Sequence, residues 1–354
     1  MIGIFVESII YRYRSNRSAV VNTMENQFIV KRGKRWYDFY IKGVNFPSGE
    51  SGNFSGAAAL SKAEYKKWFK EIAAMNANVI RVYSIQPPAF YRAFLEYNLL
   101  ATKPIHLLHG IRTDSGRRYF HAYEDRFNSD FLEEIRHTID VVHGKAASRQ
   151  SSGAYTHNIS PYVIGYILDG WKDADFILAT DERNTNIFGF EGDYLYTVNA
   201  SPYESWLAAM GNYVISYEHD KYGGPFKIIS WINNPVTDPL VRDPGARVTR
   251  VDVEHIRPTE KFNAGIFATY HIYPNYHVRP NESNPYAAYL RLLKAHHKMP
   301  VIEAEFNGSA YEGEASQMVG VIFSAGFFGG ILYAWQDEWL KKSYSTVQEK
   351  FAEY

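Results

Sequence analysis

The chain contains no cysteine among its 354 residues. Disulfides, thiolate nucleophiles and cysteine-ligated zinc or iron–sulfur sites are therefore excluded, although the cellular compartment stays open. An excess of charge of one sign is also missing, because 38 basic residues balance 38 acidic residues. The charge balance therefore gives no electrostatic reason to expect a nucleic acid or an anionic membrane as partner.

A long hydrophobic run is absent from the N-terminus. The apolar stretch from Met1 to Ile10 is interrupted by Glu7, and it is much shorter than the roughly 20 residues that a membrane span needs. Basic residues follow this stretch at Arg12, Arg14 and Arg17, whereas a secretory signal has them in front. We predict an N-terminal arm of unknown role at residues 1–25 and a single domain at residues 26–354.

Sequence signatures of cofactor sites are missing as well. The pair His296-His297 lies beside Lys298 at a predicted helix end, and no His-x-x-x-His spacing or carboxylate cluster at ligand spacing accompanies it. The glycine-rich stretches lack phosphate-loop or dinucleotide-binding spacing, and no Gly-x-Ser-x-Gly elbow is present. We expect neither a metal nor another cofactor.

Aromatic residues, in contrast, are abundant: they make up 16% of the chain and include 28 tyrosines. Large aromatic side chains can simply fill a large core. They can also line a carbohydrate cleft, where the rings stack on the apolar faces of sugars while their polar tips form hydrogen bonds. Composition alone leaves both interpretations open.

Short strand-like and longer helix-like stretches alternate from about residue 36 onward. Capping-box spacing at Ser61/Glu64 and at Ser201/Glu204 predicts two helix starts, because each side chain can satisfy a free backbone N–H of the first turn. Parallel strands need such helical crossovers, and eight strands close a barrel. The pattern therefore predicts an α/β fold, a (β/α)8 TIM barrel. Its eight strands are predicted at residues 40–45, 77–83, 104–109, 162–168, 226–230, 265–273, 300–306 and 330–335.

Strand seven carries the first candidate for chemistry. Alternation of side chains predicts that Val301, Glu303 and Glu305 face the barrel axis. Glu305 is at the C-terminal end of the strand, where barrel enzymes hold their catalytic groups. The alternative is an ordinary carboxylate on the rim. Glu305 is the predicted catalytic residue.

Other strands supply residues at the same end. Strand two has Arg81 and Tyr83 on one face, and an arginine near Glu305 would keep that carboxylate ionised, unless it only balances the charge of Glu303. Strand six has His271 and Tyr273 at its end, with a core histidine as the alternative for His271. Strand eight ends at Trp335, which either forms the floor of a sugar subsite or packs in the core. Trp231 and Asn233, after strand five, are weaker candidates of the same kind.

These residues together resemble the barrel strands of retaining glycoside hydrolases, the cellulase-, mannanase- and β-galactosidase-like enzymes. The resemblance covers roughly residues 36–340. It rests on five motifs in the family's order: Ile41-Lys-Gly-Val-Asn45, Ala77-Asn-Val-Ile-Arg-Val-Tyr83, Tyr270-His-Ile-Tyr-Pro274, Pro300-Val-Ile-Glu-Ala-Glu-Phe306 and Gly330-Ile-Leu-Tyr-Ala-Trp335.

The resemblance implies a role for each matching residue. Glu305 corresponds to the nucleophile and Arg81 to the arginine that orients it. His271 and Tyr273 correspond to the pair on strand six, and Trp335 to the tryptophan of the sugar subsite. The resemblance also implies a β-linked oligo- or polysaccharide as the binding partner.

Strand four departs from the family pattern. The family has its acid/base glutamate there, usually after an asparagine, but this chain reads Tyr166-Ile-Leu-Asp-Gly-Trp-Lys-Asp173. Trp171 stands in the expected position, so we expect it to contact sugar. Three alternatives stay open for the acid/base: Asp169 or Asp173 replaces it, a loop carboxylate such as Glu191 or Asp193 supplies it, or it is lost.

Two hypotheses follow, and a third comes from another class. The first is a retaining glycosidase with Glu305 as nucleophile and Asp169 as acid/base. The second is a carbohydrate-binding barrel, a pseudoenzyme that no longer hydrolyses efficiently. A barrel of unrelated chemistry is the third, because fold alone does not fix function. The sugar, its linkage, the oligomeric state and the compartment do not follow from the sequence.

Overall fold

The computed structural model describes residues 19–46, 60–113, 119–149, 154–169, 174–240, 249–272, 283–306 and 314–333. Its strands are β1 (Val21–Met24), β2 (Gln27–Arg32), β3 (Arg35–Asp38), β4 (Ile41–Phe46), β5 (Val79–Val82), β6 (His106–Arg112), β7 (Ala146–Ala147), β8 (Ala154–Tyr155), β9 (Val163–Asp169), β10 (Leu195–Thr197), β11 (Ile228–Asn233), β12 (Ile256–Pro258), β13 (Ala268–Tyr270), β14 (Val301–Phe306) and β15 (Gly329–Leu332). Its α-helices are α1 (Lys62–Ala74), α2 (Pro88–Leu100), α3 (Asp125–Val142), α4 (Ala174–Arg183), α5 (Pro202–Tyr222), α6 (Pro285–His296) and α7 (Glu314–Ser324).

Eight of these strands form a closed barrel in the order β4, β5, β6, β9, β11, β13, β14, β15, with β15 pairing back to β4. Every neighbouring pair is parallel. Each predicted strand overlaps one of the eight, so the predicted (β/α)8 barrel is confirmed. The C-terminal ends of the eight strands surround the mouth of the barrel.

Local sequence signals explain two of the helices on the outside of the barrel. Both capping boxes form, at Ser61 with Glu64 and at Ser201 with Glu204. Asn76 follows the C-cap of α1 with a φ of 63°, the left-handed conformation that asparagine tolerates better than most residues. The predicted start of α1 is therefore confirmed, and Asn76 marks its end. In the described part of the chain, no helix is both long enough and apolar enough to cross a membrane.

A small antiparallel sheet of β1, β2 and β3 covers the opposite end of the barrel from the mouth. Val21 and Phe28 are buried in it, and the backbone N–H of Thr23 donates to the carbonyl of Ala264 just ahead of β13. Residues 19–25 of the predicted N-terminal arm therefore pack on the barrel, and the rest of the arm lies outside the described residues. The sequence analysis missed this sheet, and it also missed α2 and α4.

Candidate active site

An irregularity in β14 decides which of its acidic side chains faces the mouth. The pairing of β14 with β15 shifts register between Glu303 and Phe306. Ahead of the shift, Glu303 pairs with Gly330, so the two residues point to the same face of the barrel wall. A Cβ added to Gly330 would lie 3.6 Å from the side chain of Ile322 on α7. The side chain of Glu303 therefore points outward, toward the helices. Beyond the shift, Phe306 occupies the same outer face, and Glu305 therefore points to the mouth.

The prediction that Val301, Glu303 and Glu305 share the inward face is therefore wrong. Strict alternation of side chains fails where a bulge adds one residue to a strand. Ile302, which was expected to face the helices, instead lies inside the barrel, where its Cγ2 is 2.8 Å from the position of a Cβ on Gly329. Glu305 faces the mouth because of the bulge.

Two side chains hold the Glu305 carboxylate, one from the end of the neighbouring strand β13 and one from the end of β5, farther around the barrel. The Tyr83 hydroxyl donates a hydrogen bond of 3.0 Å to Oε1, and Nδ1 of His271 lies 2.9 Å from Oε2. Burial acts to raise the pKa of Glu305. The hydrogen bond and charge of His271, the charge of Arg81 and the hydrogen bond from Tyr83 outweigh burial, so the pKa lies below its ordinary value. Glu305 is thus held ionised, as a nucleophile must be.

Arg81 lies beneath this carboxylate and is almost fully buried. Its NH1 group donates to Oδ1 of Asn45 at 3.0 Å and to the carbonyl of Ala304 at 3.3 Å, while its guanidinium lies 4.4 Å from the ring centroid of Tyr83. Arg81 therefore acts on Glu305 through its charge and through the backbone of the preceding residue.

Asn45 is a site residue that the sequence analysis did not select, although it belongs to one of the quoted motifs. Its amide nitrogen donates to the carbonyls of Ala304 at 2.8 Å and Leu332 at 3.2 Å. With Arg81, it fixes the backbone at the bulge of β14.

Glu303 is a buried acidic side chain on the outer face of β14, behind the site. Its Oε1 accepts the backbone N–H of Ile272 at 2.9 Å and that of Glu305 at 3.3 Å. Burial raises the pKa of Glu303 well above its ordinary value, and the negative charge of Glu305 adds to that effect. The raised pKa favours the protonated form of Glu303, and its two hydrogen bonds tie the end of β13 to β14. The role considered for Arg81 as its counter-ion has no support from the contacts, since Arg81 is on the other face of the sheet.

The end of β9 is organised differently. Asp169 pairs in register with Arg112 of β6, and its Oδ2 lies 3.4 Å from the Arg112 Nε. The carboxylate is largely shielded, with 11% of its side chain exposed. Asp169 is therefore paired with a cation at the end of its strand.

The loop carboxylates considered as replacements lie away from the mouth. Asp193 forms an ion pair with Lys261 at 2.7 Å, and Lys261 is on the segment that enters β13 from the opposite end of the barrel. Glu191 belongs to the same hairpin through its bridge to Tyr196. The alternative that Glu191 or Asp193 supplies the acid/base is therefore wrong, because pairing between β10 and β12 fixes this hairpin at the far end.

The two weaker candidates after strand five have structural roles. Trp231 is buried against α5, where its Nε1 donates to the carbonyl of Leu207. Asn233 donates to the carbonyl of Val251 and accepts from the Thr237 hydroxyl. Neither of them lines the mouth.

Four predicted residues, Trp171, Asp173, Tyr273 and Trp335, lie outside the described residues. One aromatic residue that the sequence analysis did not select is placed at the mouth instead. Tyr333 is 41% exposed, its N–H donates to the carbonyl of Phe306, and it lies near enough to contribute to the raised pKa of Tyr83. Its position two residues ahead of Trp335 on the same strand parity was the signal that could have identified it.

No protein-family model matches the chain, and no curated protein sequence is similar to it. Solved structures do match. A β-galacturonidase of glycoside hydrolase family 2 from Eisenbergiella tayi, bound to galacturonate, has a TM-score of 0.57 at 14% identity, covering 95% of this chain and 55% of its own. A mutant of Gas2p from Saccharomyces cerevisiae, in complex with laminaritetraose and laminaripentaose, has a TM-score of 0.54 at 13% identity. The match covers 95% of this chain and 68% of the Gas2p chain.

The endo-1,4-β-mannanase of Rhizomucor miehei is also similar, with a TM-score of 0.54 at 13% identity over 95% of this chain and the whole of its own. At such identities the similarity establishes the fold. The chain spans only about half the length of the β-galacturonidase.

Proposed function

We propose that the protein is a retaining glycoside hydrolase that acts on a β-linked oligo- or polysaccharide, with Glu305 as the nucleophile. The observation that carries this proposal is the setting of Glu305. Its carboxylate is at the mouth of the barrel, is hydrogen-bonded by Tyr83 and His271, and has a lowered pKa despite its burial.

In this mechanism a Glu305 oxygen attacks the anomeric carbon, and an ester bond forms as the glycosidic C–O bond breaks. The leaving oxygen takes a proton from an acid on the other side of the bond, and water then hydrolyses the ester. Tyr83, His271 and Arg81 keep the nucleophile charged and oriented. Asp169 is the acid/base in this proposal, because it is a carboxyl group at the C-terminal end of β9, the strand from which the resemblance expects that group.

The substrate class rests on two supports. Aromatic side chains at the mouth suit the apolar faces of pyranose rings, and Tyr333 is an exposed one beside Tyr83. Similar structures also include enzymes named for β-linked sugars. Trp171, Tyr273 and Trp335 are proposed as further sugar contacts.

Covalent trapping tests the nucleophile directly. The protein is incubated with a panel of activated 2-deoxy-2-fluoro-β-glycosides (glucose, mannose, galactose and galacturonic acid), and its mass is measured. We expect one sugar per chain from at least one reagent, attached to the peptide that contains Glu305.

The matched control is Glu305→Gln, which keeps the size of the side chain and removes the nucleophilic oxygen. This variant should acquire no label. A label on another carboxylate, or an equal label on the variant, would exclude Glu305 from the mechanism.

The ion pair of Asp169 with Arg112 favours a second candidate function, a sugar-binding barrel with little hydrolysis. In that case the wild-type protein binds oligosaccharides and releases no product from any of them. Binding measured by calorimetry beside product release separates the two functions, and release that is abolished in Glu305→Gln supports the enzyme.

A further inference from the structure

A second group of polar side chains lies on the outside of the barrel, behind β13. Asp252, His296 and His297 each offer one possible ligand atom, and these three atoms all lie within 4.8 Å of one another. Asp252 begins a short 3-10 turn at residues 253–255, whereas His296 and His297 end α6. Folding brings the two segments together, so their spacing along the chain gives no sign of the cluster.

The individual contacts have the dimensions of a metal site. Nε2 of His296 is 2.8 Å from Oδ2 of Asp252, and Nδ1 of His297 is 3.3 Å from Oε1 of Glu254. Metal bonds of about 2.0–2.2 Å in a tetrahedron place neighbouring ligand atoms roughly 3.3–3.5 Å apart. Small movements of the side-chain ends therefore suffice to admit an ion.

Outer contacts hold these side chains in place. The Tyr270 hydroxyl is 2.7 Å from Nε2 of His297, and Nδ1 of the same ring lies 3.3 Å from Oε1 of Glu254, which accepts. Asp252 accepts the backbone N–H of Glu254 on its other oxygen. Glu254 in turn accepts the backbone N–H of Lys298 at 2.8 Å. Partners of this kind orient the ligands of metal sites.

Burial and charge agree with this interpretation. The side chain of His297 is fully buried, and those of Asp252 and His296 are 15% and 31% exposed, which leaves access for an ion from one side. The Asp252 carboxylate supplies one negatively charged ligand beside the two imidazole rings. Imidazole nitrogen with carboxylate oxygen is a donor set that Zn²⁺ accepts.

We propose that Asp252, His296 and His297 bind a divalent transition-metal ion, Zn²⁺ by preference, through these three side chains. The ion would fasten the 252–254 turn to the end of α6 and, through Tyr270, to the strand that carries His271. The expectation of no metal came from spacing along the chain, which cannot show ligands that only the fold assembles. This proposal does not depend on the proposed hydrolase activity.

Zinc titration of the full, chelator-treated chain by calorimetry tests the site, with thermal unfolding as a second measurement. We expect one Zn²⁺ per chain and a rise in Tm of at least about 2 °C at a hundredfold excess of Zn²⁺ over Kd. Binding should strengthen between pH 6 and pH 8, because the ion has to displace the proton that His296 shares with Asp252. Stoichiometric binding should be lost, or weakened at least about tenfold, in His296→Ala and in Asp252→Asn.

His255→Ala is the matched control. His255 pairs with Glu204 at 2.8 Å and is 35% exposed, so it is the same kind of half-exposed histidine–carboxylate pair outside the three-residue cluster. The control should bind Zn²⁺ like the wild-type chain. Bound Co²⁺ provides a measurement that a loss of stability cannot imitate, because a tetrahedral Co²⁺ site absorbs visible light intensely. His296→Ala should abolish this absorption. Circular dichroism shows whether the variant chain is still folded. Absence of stoichiometric Zn²⁺ binding by the folded wild-type chain, or equal weakening by His255→Ala and His296→Ala, would overturn the proposal.

Discussion

The ends of β14 and β9 present one carboxylate each at the same mouth, in opposite surroundings. Glu305 on β14 is held by a histidine and a tyrosine, and Arg81 and Asn45 fix the backbone ahead of it. Asp169 on β9 forms an ion pair with the half-exposed Arg112, and its charge contributes to the raised pKa of the buried Tyr203. Glu305 therefore has the surroundings that the proposed nucleophile needs, whereas the described contacts of Asp169 give less support to its proposed role as proton donor.

In the proposed mechanism the two carboxyl groups have different needs. A carboxylate that has to remain ionised needs hydrogen-bond donors and positive charge nearby, and the surroundings of Glu305 supply both. The proposed proton donor, Asp169, is paired with a guanidinium. Each prediction below changes one side of this contrast.

Asp169→Asn has the largest expected effect on activity, and it tests whether Asp169 is the proton donor of the proposed mechanism. If Asp169 donates the proton, the variant loses about 10²–10⁴ in kcat/KM on substrates with poor leaving groups. Substrates with dinitrophenyl leaving groups need no proton and should react almost normally in the first step. Steady-state rates on both kinds of aryl glycoside measure the difference.

Arg112→Gln is the matched control for that variant, because it removes the charge beside Asp169 and keeps the carboxyl group. A uniform loss in Asp169→Asn, independent of the leaving group, would show that the residue only maintains structure.

His271→Gln is expected to have a smaller effect on activity, and it tests how His271 controls the pKa of Glu305. Without the contact at Oε2, burial acts on Glu305 with less opposition, so its pKa rises from its lowered value toward or above the ordinary one. A nucleophile has to be ionised, and the acid limb of the kcat/KM profile should therefore move to higher pH by roughly one unit. An unchanged acid limb would contradict the assignment of that limb to Glu305.

Sequence patterns predicted the barrel well and the site in part. Periodicity and caps such as those at Ser61 and Ser201 act locally, so they identified strands and helix starts. The bulge in β14 depends on pairing with β15, and alternation along one strand could not reveal it, which is why Glu303 was placed on the wrong face. Asn45 was not selected because its role consists of contacts with Ala304 and Leu332, far away along the chain.

Glu303→Gln is expected to have the smallest effect on activity, and it tests whether the bulge separates a charged acid from a neutral one. The glutamine is an isostere of the protonated acid and can accept the same backbone N–H groups of Ile272 and Glu305, so turnover should fall less than about threefold. Glu303→Ala leaves both groups unsatisfied in the interior, and unfolding should become easier by about 1–3 kcal/mol for each of them.

The pH dependence of stability gives the sharper measurement. The folded-state pKa of Glu303 is raised by burial, so its favourable contribution is fully present below the unfolded pKa of about 4.3 and is lost as pH rises toward the folded pKa. The slope reaches about 1.4 kcal/mol per pH unit in that window. Glu303→Gln lacks this titrating group. Urea titrations should therefore show its free energy of unfolding rising relative to that of the wild type from about pH 4 to pH 8. Parallel curves would mean that Glu303 is ionised in the folded chain, and β14 would then hold two charged acids where the contrast with β9 requires one.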